Sequence, residues 1–169
     1  MVLETKRLIL REMALYDVDD LLEVLSDPEA MQFYPQPFDR QMTQTWIERN
    51  IQRYAQHGFG LWALILKQTG KLIGDCGLVV QEVDGVEEIE IGYHIRRDLW
   101  GKGFATEAAQ VCCDYGFSPL GFGKLISLIN PANIASCRVA EKNGMKLIKE
   151  IEWRDKPICV YAIERSRDM

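Results

Sequence analysis

Apolar and polar residues change their period several times along the chain, and each change marks an element. Residues 3–12, Leu-Glu-Thr-Lys-Arg-Leu-Ile-Leu-Arg-Glu, read as a first strand. Val18, Leu21, Leu22 and Leu25 then stand at helical spacing behind Asp17, a residue type suited to an N-cap, and Ser26-Asp27-Pro28 stops that helix. Met31 to Phe38 mixes aromatic residues with prolines and is a loop. A second helical period, from about Gln41 to Gln56, turns Ile47, Ile51, Tyr54 and Ala55 inward, with Gly58 as its stop. Leu61–Leu66 is an unbroken apolar run of strand length, so it predicts a central strand covered on both faces. Leu72, Gly74, Cys76, Leu78 and Val80 alternate in the next strand, and Asp84-Gly85 turns the chain. The following strand, Glu88–Ile95, puts Ile89, Ile91, Tyr93 and Ile95 on one face and Glu88, Glu90, Gly92 and His94 on the other.

Behind that strand the period lengthens. Gly101-Lys102-Gly103 is followed by Ala105, Ala108, Ala109 and Cys112 at i, i+3, i+4 and i+7, a helix that runs to about Phe117 and breaks at Pro119 and Gly121. Lys124–Ile129 is a short strand. Asn130-Pro131-Ala132-Asn133 leads into a helix carrying Ser136, Val139 and Ala140, closed by Asn143-Gly144. Leu147–Trp153 and Ile158–Ile163, joined across Asp155-Lys156-Pro157, read as a final hairpin. No repeat or linker interrupts the pattern, so residues 1–169 are expected to form one domain.

Strand, glycine turn and helix together make an anion-binding geometry. A helix start has free N–H groups and the positive end of the dipole, and glycine lets a phosphate approach the main chain. The turn is neither a dinucleotide fingerprint, since Thr106 stands where a third glycine would be needed, nor a P-loop. A nucleotide-binding module is thereby disfavoured.

Composition narrows the class further. With 47% hydrophobic residues in 169, the chain can bury a full core. No run reaches the ~18 apolar residues of a membrane span, and the N-terminus lacks a signal peptide's apolar region. Five cysteines without Cys-x-x-Cys spacing fit reduced, buried thiols in a cytoplasmic protein. Two histidines make a histidine-based metal site an unsuitable reading, and a net charge of −5 argues against nucleic acid as a partner. A homodimer is compatible with all of this.

Trp100-Gly101-Lys102-Gly103-Phe104-Ala105 resembles the acyl-CoA loop of the GCN5-related N-acetyltransferase (GNAT) family, Gln/Arg-x-x-Gly-x-Gly/Ala, with Trp100 in place of Gln or Arg. With Thr106-Glu107-Ala108 behind it, the loop is similar to the branch that includes the ribosomal-protein-alanine N-acetyltransferases (RimJ/RimL type). Asn133, Ser136 and Gly144-Met145 fall at the intervals of a second family motif, with Met145 replacing Phe. The resemblance implies an α/β fold: a mixed, mostly antiparallel sheet with helices on both faces and a splayed strand pair that admits acyl-CoA. It also implies acetyl-CoA as co-substrate and a primary amine, small molecule or protein N-terminus, as acceptor. Pyrophosphate contacts would come from Gly101, Lys102, Gly103, Phe104, Ala105 and Thr106, beside Trp100. Pantetheine contacts would come from the main chain of Tyr93, His94 and Ile95 and from Asn133 and Ser136. Arg96, Arg97 and Lys102 lie within seven residues against Asp98 alone, and Lys124, Arg138 and Lys142 could add charge for the 3′-phosphate.

Acetyl transfer to an amine needs a proton acceptor, an oxyanion donor and a proton for the thiolate. Glu90 is the candidate base, with Glu88, Glu152 and Asp155 in reserve. The family's acid is a tyrosine seven residues after the motif Asn, and Ala140 occupies that position, leaving Ser136 or a water to substitute. That replacement leaves open a second class, an acyl-CoA sensor without turnover. Phe33 and Tyr34 in the aromatic loop, with Trp62, are candidate walls of the acceptor pocket; the loop aromatics could equally seal the core.

Overall fold

The structure, a computed structural model, describes residues 2–166. It holds an eight-stranded sheet in the order β1-β2-β3-β4-β5-β6-β8-β7. The strands are β1 (Val2–Glu4), β2 (Leu8–Arg11), β3 (Leu61–Leu66), β4 (Lys71–Val83), β5 (Val86–Ile95), β6 (Lys124–Ile129), β7 (Lys146–Trp153) and β8 (Lys156–Glu164). Every neighbouring pair is antiparallel except β5 and β6, which run parallel and share a single register pair, Glu90 with Ile126. Helices α1 (Val18–Leu25) and α2 (Arg40–His57) cover one face, and α3 (Phe104–Phe117) and α4 (Ile134–Lys142) the other. This is the α/β, mixed and mostly antiparallel architecture expected from the sequence.

The two faces have separate cores because β3 and β4 alternate between them. Leu61, Ala63, Leu72 and Val79 pack with Val18, Leu21, Leu25 and Ile47 of α1 and α2. Trp62, Leu64, Cys76 and Leu78 pack with Ala108, Ala109 and Cys112 of α3. The apolar run of β3 is therefore doubly covered, as its composition predicts. Four of the five cysteines are buried and all five are free.

Four details differ from the reading of the sequence. Residues 3–12 are two strands, because Thr5 closes a turn: its N–H donates to the Leu8 carbonyl at 2.9 Å and its hydroxyl accepts the Leu8 N–H at 2.9 Å. Asp17 does not cap α1; its carboxylate receives the Ala14 N–H at 2.8 Å and both guanidinium nitrogens of Arg11. On α2 the buried stripe is Thr43, Ile47 and Asn50, so Ile51 and Ala55 face outward. Asn50 turns that stripe inward by accepting the Leu61 N–H at 2.9 Å. The last hairpin bends at Arg154-Asp155, both at positive φ (51° and 61°), and Pro157 lies within β8.

Candidate active site

The glycine turn is a main-chain site. Gly101 and Gly103 adopt φ of 74° and 82°, a region costly for other residues, and Gly103 is the N-cap of α3. No side chain caps this helix, so the first N–H groups of α3 have no side-chain partner. A Cβ added at Gly101 would meet nothing within 4 Å, leaving the approach open. Arg7 braces the turn from behind: its Nη1 donates to the Lys102 carbonyl at 2.9 Å, and its guanidinium lies 4.3 Å from the Phe104 ring centre. Arg7 is in turn held by Glu107, which accepts the Arg7 N–H at 2.9 Å, the Arg7 Nε–H at 2.6 Å and the Thr5 hydroxyl at 2.5 Å. Burial pulls the Glu107 carboxyl upward, but these donors outweigh it and hold it below the usual carboxylate range. Phe104 is buried, whereas Ala105 and Thr106 are half-buried.

Trp100 serves this end of β5 through its indole, which donates to the Ile95 carbonyl at 2.7 Å. The basic cluster is smaller than the sequence suggests. Arg96 pairs with Asp98, Arg97 with Asp27 and Glu29, and Lys124 with Glu88. Asp27 and Glu29 come from the turns that follow α1, a partnership that no local charge count shows. Lys102, Arg138 and Lys142 make no ion pair among the described residues.

Beyond Glu90 and Ile126 the parallel strands separate. The Ser127 hydroxyl donates to the Ile91 carbonyl at 3.0 Å, so the main-chain groups of Ile91 face β6. Strand alternation then points the main chain of Tyr93 and the N–H of Ile95 into the widening space. The Tyr93 side chain crosses to α4, where its hydroxyl donates to the Ser136 carbonyl at 3.2 Å. Asn133 caps α4 by accepting the Ser136 N–H at 3.2 Å. The Ser136 hydroxyl has no partner among the described residues, and Ala140 is buried at 3% exposure.

Glu90 sits where the strands part, on the α1/α2 side. It accepts the Gln81 amide at 2.8 Å and a bond from the Leu128 backbone, a group that β5 no longer satisfies there. Burial raises its pKa, with the Gln81 and Leu128 donors and the charge of Arg154 working against that rise. Gly92 is next along the same face. A Cβ there would meet only Leu61 Cδ2, at 3.6 Å, so a trough lies open over it. Its far end is His94, whose Nδ1 is 2.8 Å from Asp75 and whose Nε2 is 2.8 Å from the Tyr34 hydroxyl. Asp75 also accepts the Trp46 indole N–H at 2.9 Å. Tyr34, Phe38 and Trp46 meet edge to face at 6.1 and 5.5 Å.

Placement of the expected residues is thus mixed. Trp62 is no wall of the acceptor pocket: it is 1% exposed and stacks edge-on with Tyr115 in the α3 core, because odd and even positions of β3 face opposite ways. The imidazole of His94 lies on the α1/α2 side, and its carbonyl faces Gly74 of β4, so neither its side chain nor its main chain meets the expected contact in the space where β5 and β6 part. Tyr34 is in the trough; Phe33 is half-buried, its carbonyl 3.5 Å from Lys156 Nζ. Trp46, Phe38, Asp75 and Gln81 were missed. Each looks like ordinary helix, loop or strand filler in the sequence, and only the pairing of β4 with β5 brings Asp75 opposite His94. Glu88, a reserve base, is committed to Lys124 at 2.6 Å.

The family model described as an acetyltransferase (GNAT) domain matches residues 7–146. The chain belongs to the GNAT acetyltransferases. It is 42% identical to the protein YkkB of Bacillus subtilis (strain 168) over 160 residues, covering 94% of this chain and 93% of that one. It is 35% identical to the uncharacterised N-acetyltransferase p20 of Bacillus licheniformis over 160 residues, covering 90% and 85%. The fold of RimL, a ribosomal L7/L12 α-N-protein acetyltransferase solved in complex with coenzyme A, superposes with a TM-score of 0.80 over 97% of this chain and 98% of that one. Sequence identity there is 16%, so this last likeness is one of fold. The protein is an N-acetyltransferase; its amine is not fixed by these relatives.

Proposed function

We propose that this acetyltransferase moves the acetyl group of acetyl-CoA to a primary amine, on a small molecule or a peptide N-terminus, by direct attack on the thioester. The observation that carries this reading is the parting of β5 and β6 after one register pair, with the capless start of α3 behind it and the desolvated Glu90 in front. The free N–H groups of α3 and the bare Gly101 fit a pyrophosphate. The strand groups of Tyr93 and Ile95 fit pantetheine, and the coenzyme A complex of RimL, which shares the fold, supports this placement. Asn133 and Ser136 would meet the same arm from α4, and Trp100 would flank it.

In this reading the amine enters over Gly92 from the α1/α2 side. Glu90 accepts a proton from the attacking nitrogen, which a carboxylate with a raised pKa does better than an ordinary one. A main-chain N–H of Tyr93–Ile95 holds the oxyanion. With Ala140 unable to donate, the thiolate takes its proton from water ordered near Ser136. Tyr34 and Phe33 wall the amine. The whole chain, 1–169, acts as one domain of the RimJ/RimL-like branch, working in the cytoplasm; five free cysteines support a reducing compartment.

Calorimetry with CoA, followed by mass spectrometry of products from acetyl-CoA and four amines (propylamine, spermidine, kanamycin and the peptide Ala-Ala-Ala), tests this. CoA binding and an acetylated product are expected. Failure to bind CoA overturns the reading.

A further inference from the structure

A primary ammonium loses two protons on its way to an amide, one to free the lone pair and one as the amide forms. The departing thiolate takes one back, so each turnover sends one proton to solvent. Glu90 is a single acceptor. At the other end of the trough three polar side chains are joined head to tail. Asp75 is fully buried on β4 and takes the Trp46 indole N–H on one oxygen and His94 Nδ1–H on the other, at 2.9 and 2.8 Å. With the Asp75 carboxylate as acceptor, Nδ1 carries a proton, and in the neutral imidazole Nε2 is then left as an acceptor. The Tyr34 hydroxyl donates to that Nε2 at 2.8 Å.

The Tyr34 oxygen spends its hydrogen on His94 and presents only lone pairs outward, so the group that docks on it has to be an N–H or O–H donor. Tyr34 is 38% exposed, whereas His94 and Asp75 behind it have side-chain exposures of 9% and 0%. The chain thus has one open end, and aromatic contacts of His94 with Tyr34 (5.3 Å) and Trp46 (5.8 Å) hold it in place.

We propose that Tyr34, backed by His94 and Asp75, docks the acceptor ammonium and carries away its first proton, while Glu90 takes the second. The Tyr34 oxygen accepts the ammonium proton as its own proton passes to His94 Nε2, giving an imidazolium paired with Asp75. The reverse transfer through Tyr34 hands that proton to water. No bond to carbon or sulfur changes in this step. Tyr34 is the residue that touches substrate; His94 and Asp75 act through it. The inference rests on the acetyl-transfer reading above. The charged or titratable groups around the chain are Asp75 on β4, Tyr34 in the loop and Glu90 on His94's own strand. Arg53 on α2 acts on Glu90 and Asp75, and Arg154 on the β7–β8 turn acts on Glu90.

The test is kcat/KM against pH for the wild-type protein, Tyr34→Phe and His94→Gln, with acetyl-CoA and whichever of the four amines reacts fastest, and CoA calorimetry on each. Both variants are expected to bind CoA as the wild type does and to lose about 10²-fold in kcat/KM at pH 7. The loss should shrink as pH approaches the amine's own pKa, where the free base is already present. A loss that is equal at every pH, or none, overturns the relay. Tyr34→Phe removes one oxygen from a partly exposed ring, so it keeps the test decisive if His94→Gln fails to fold. A wild-type protein that binds no CoA removes the acetyl-transfer reading and the relay together. CoA binding and turnover with unaltered variants remove the relay alone.

Discussion

The two sides of the splayed strands are built in opposite ways. On the proposed cofactor side, residues 100–107 are contiguous, and the chemistry proposed for them lies in the main chain of a glycine turn and a helix start. On the proposed acceptor side, Tyr34, Trp46, Asp75, Glu90 and His94 come from a loop, a helix and two strands, and the proposed chemistry lies in side chains. A main-chain site tolerates changes of side chain that do not fill it. A side-chain site is exposed to any substitution but can be retuned for a new substrate while the cofactor turn stays the same. Under the proposed reading, that contrast lets the acyl-CoA architecture be kept while the acceptor changes.

The sharpest way to break the contrast is Glu90→Gln. It should lower kcat by ~10²–10⁴ with CoA affinity unchanged. Because burial raises the Glu90 pKa, the wild-type rate should climb as pH rises through that value, where the carboxylate becomes the base. Full kcat for Glu90→Gln at neutral pH would place the base elsewhere. Gly103→Val attacks the other side. At φ 82° a branched side chain is strained, and its Cβ would lie 3.4 Å from Arg7 Nη2. Losing one charge-assisted N–H contact costs ~1.5–3 kcal/mol, about 13- to 160-fold in CoA affinity by calorimetry. Unchanged affinity in a folded variant would remove the phosphate assignment.

Gly92→Ala separates the two sides most cleanly. Its methyl group enters the trough without touching the cofactor side, so KM for the amine should rise about 5- to 150-fold, as expected for ~1–3 kcal/mol of overpacking, while CoA affinity holds. Asn133→Ala should raise KM for acetyl-CoA by a factor of about 2 to 13. Since Asn133 also caps α4, the melting temperature should fall by a few degrees, at ~1 kcal/mol for a lost cap. A lower melting temperature with an unchanged KM would make it a cap only.

The smallest effect concerns the brace. Glu107 has a depressed folded pKa, so its contribution is present above its unfolded value of ~4.3 and is lost as pH falls through the lower folded one. Glu107→Gln should therefore melt below the wild type at pH 7, and the gap should close as pH drops toward 3. A constant gap would show that packing, not charge, holds Thr5 and Arg7.

Much of the fold was legible because it is written in local periods. The strands 61–66, 71–83 and 86–95 and helix α3 announce themselves by alternation or by an i, i+3, i+4 stripe, and the glycine turn is a contiguous motif. Single decisions between neighbours were harder to read. Thr5 makes one strand into two through a hydroxyl that serves both Leu8 and Glu107, 102 residues away. Trp62 and Trp46 are both tryptophans beside apolar residues. Only strand parity puts the first in the core, and only the orientation of α2 puts the second against Asp75.

What the sequence determined by itself was the order and kind of most elements and the glycine turn, since period, glycine φ and helix ends depend on residues close along the chain. The tertiary structure alone decided which face of β5 carries Glu90 and His94, which cations near the turn are already paired, and which aromatics surround the trough. These depend on strand register and on contacts between residues tens of positions apart. A one-residue shift in register would exchange the two faces, and no local pattern in the chain records that choice.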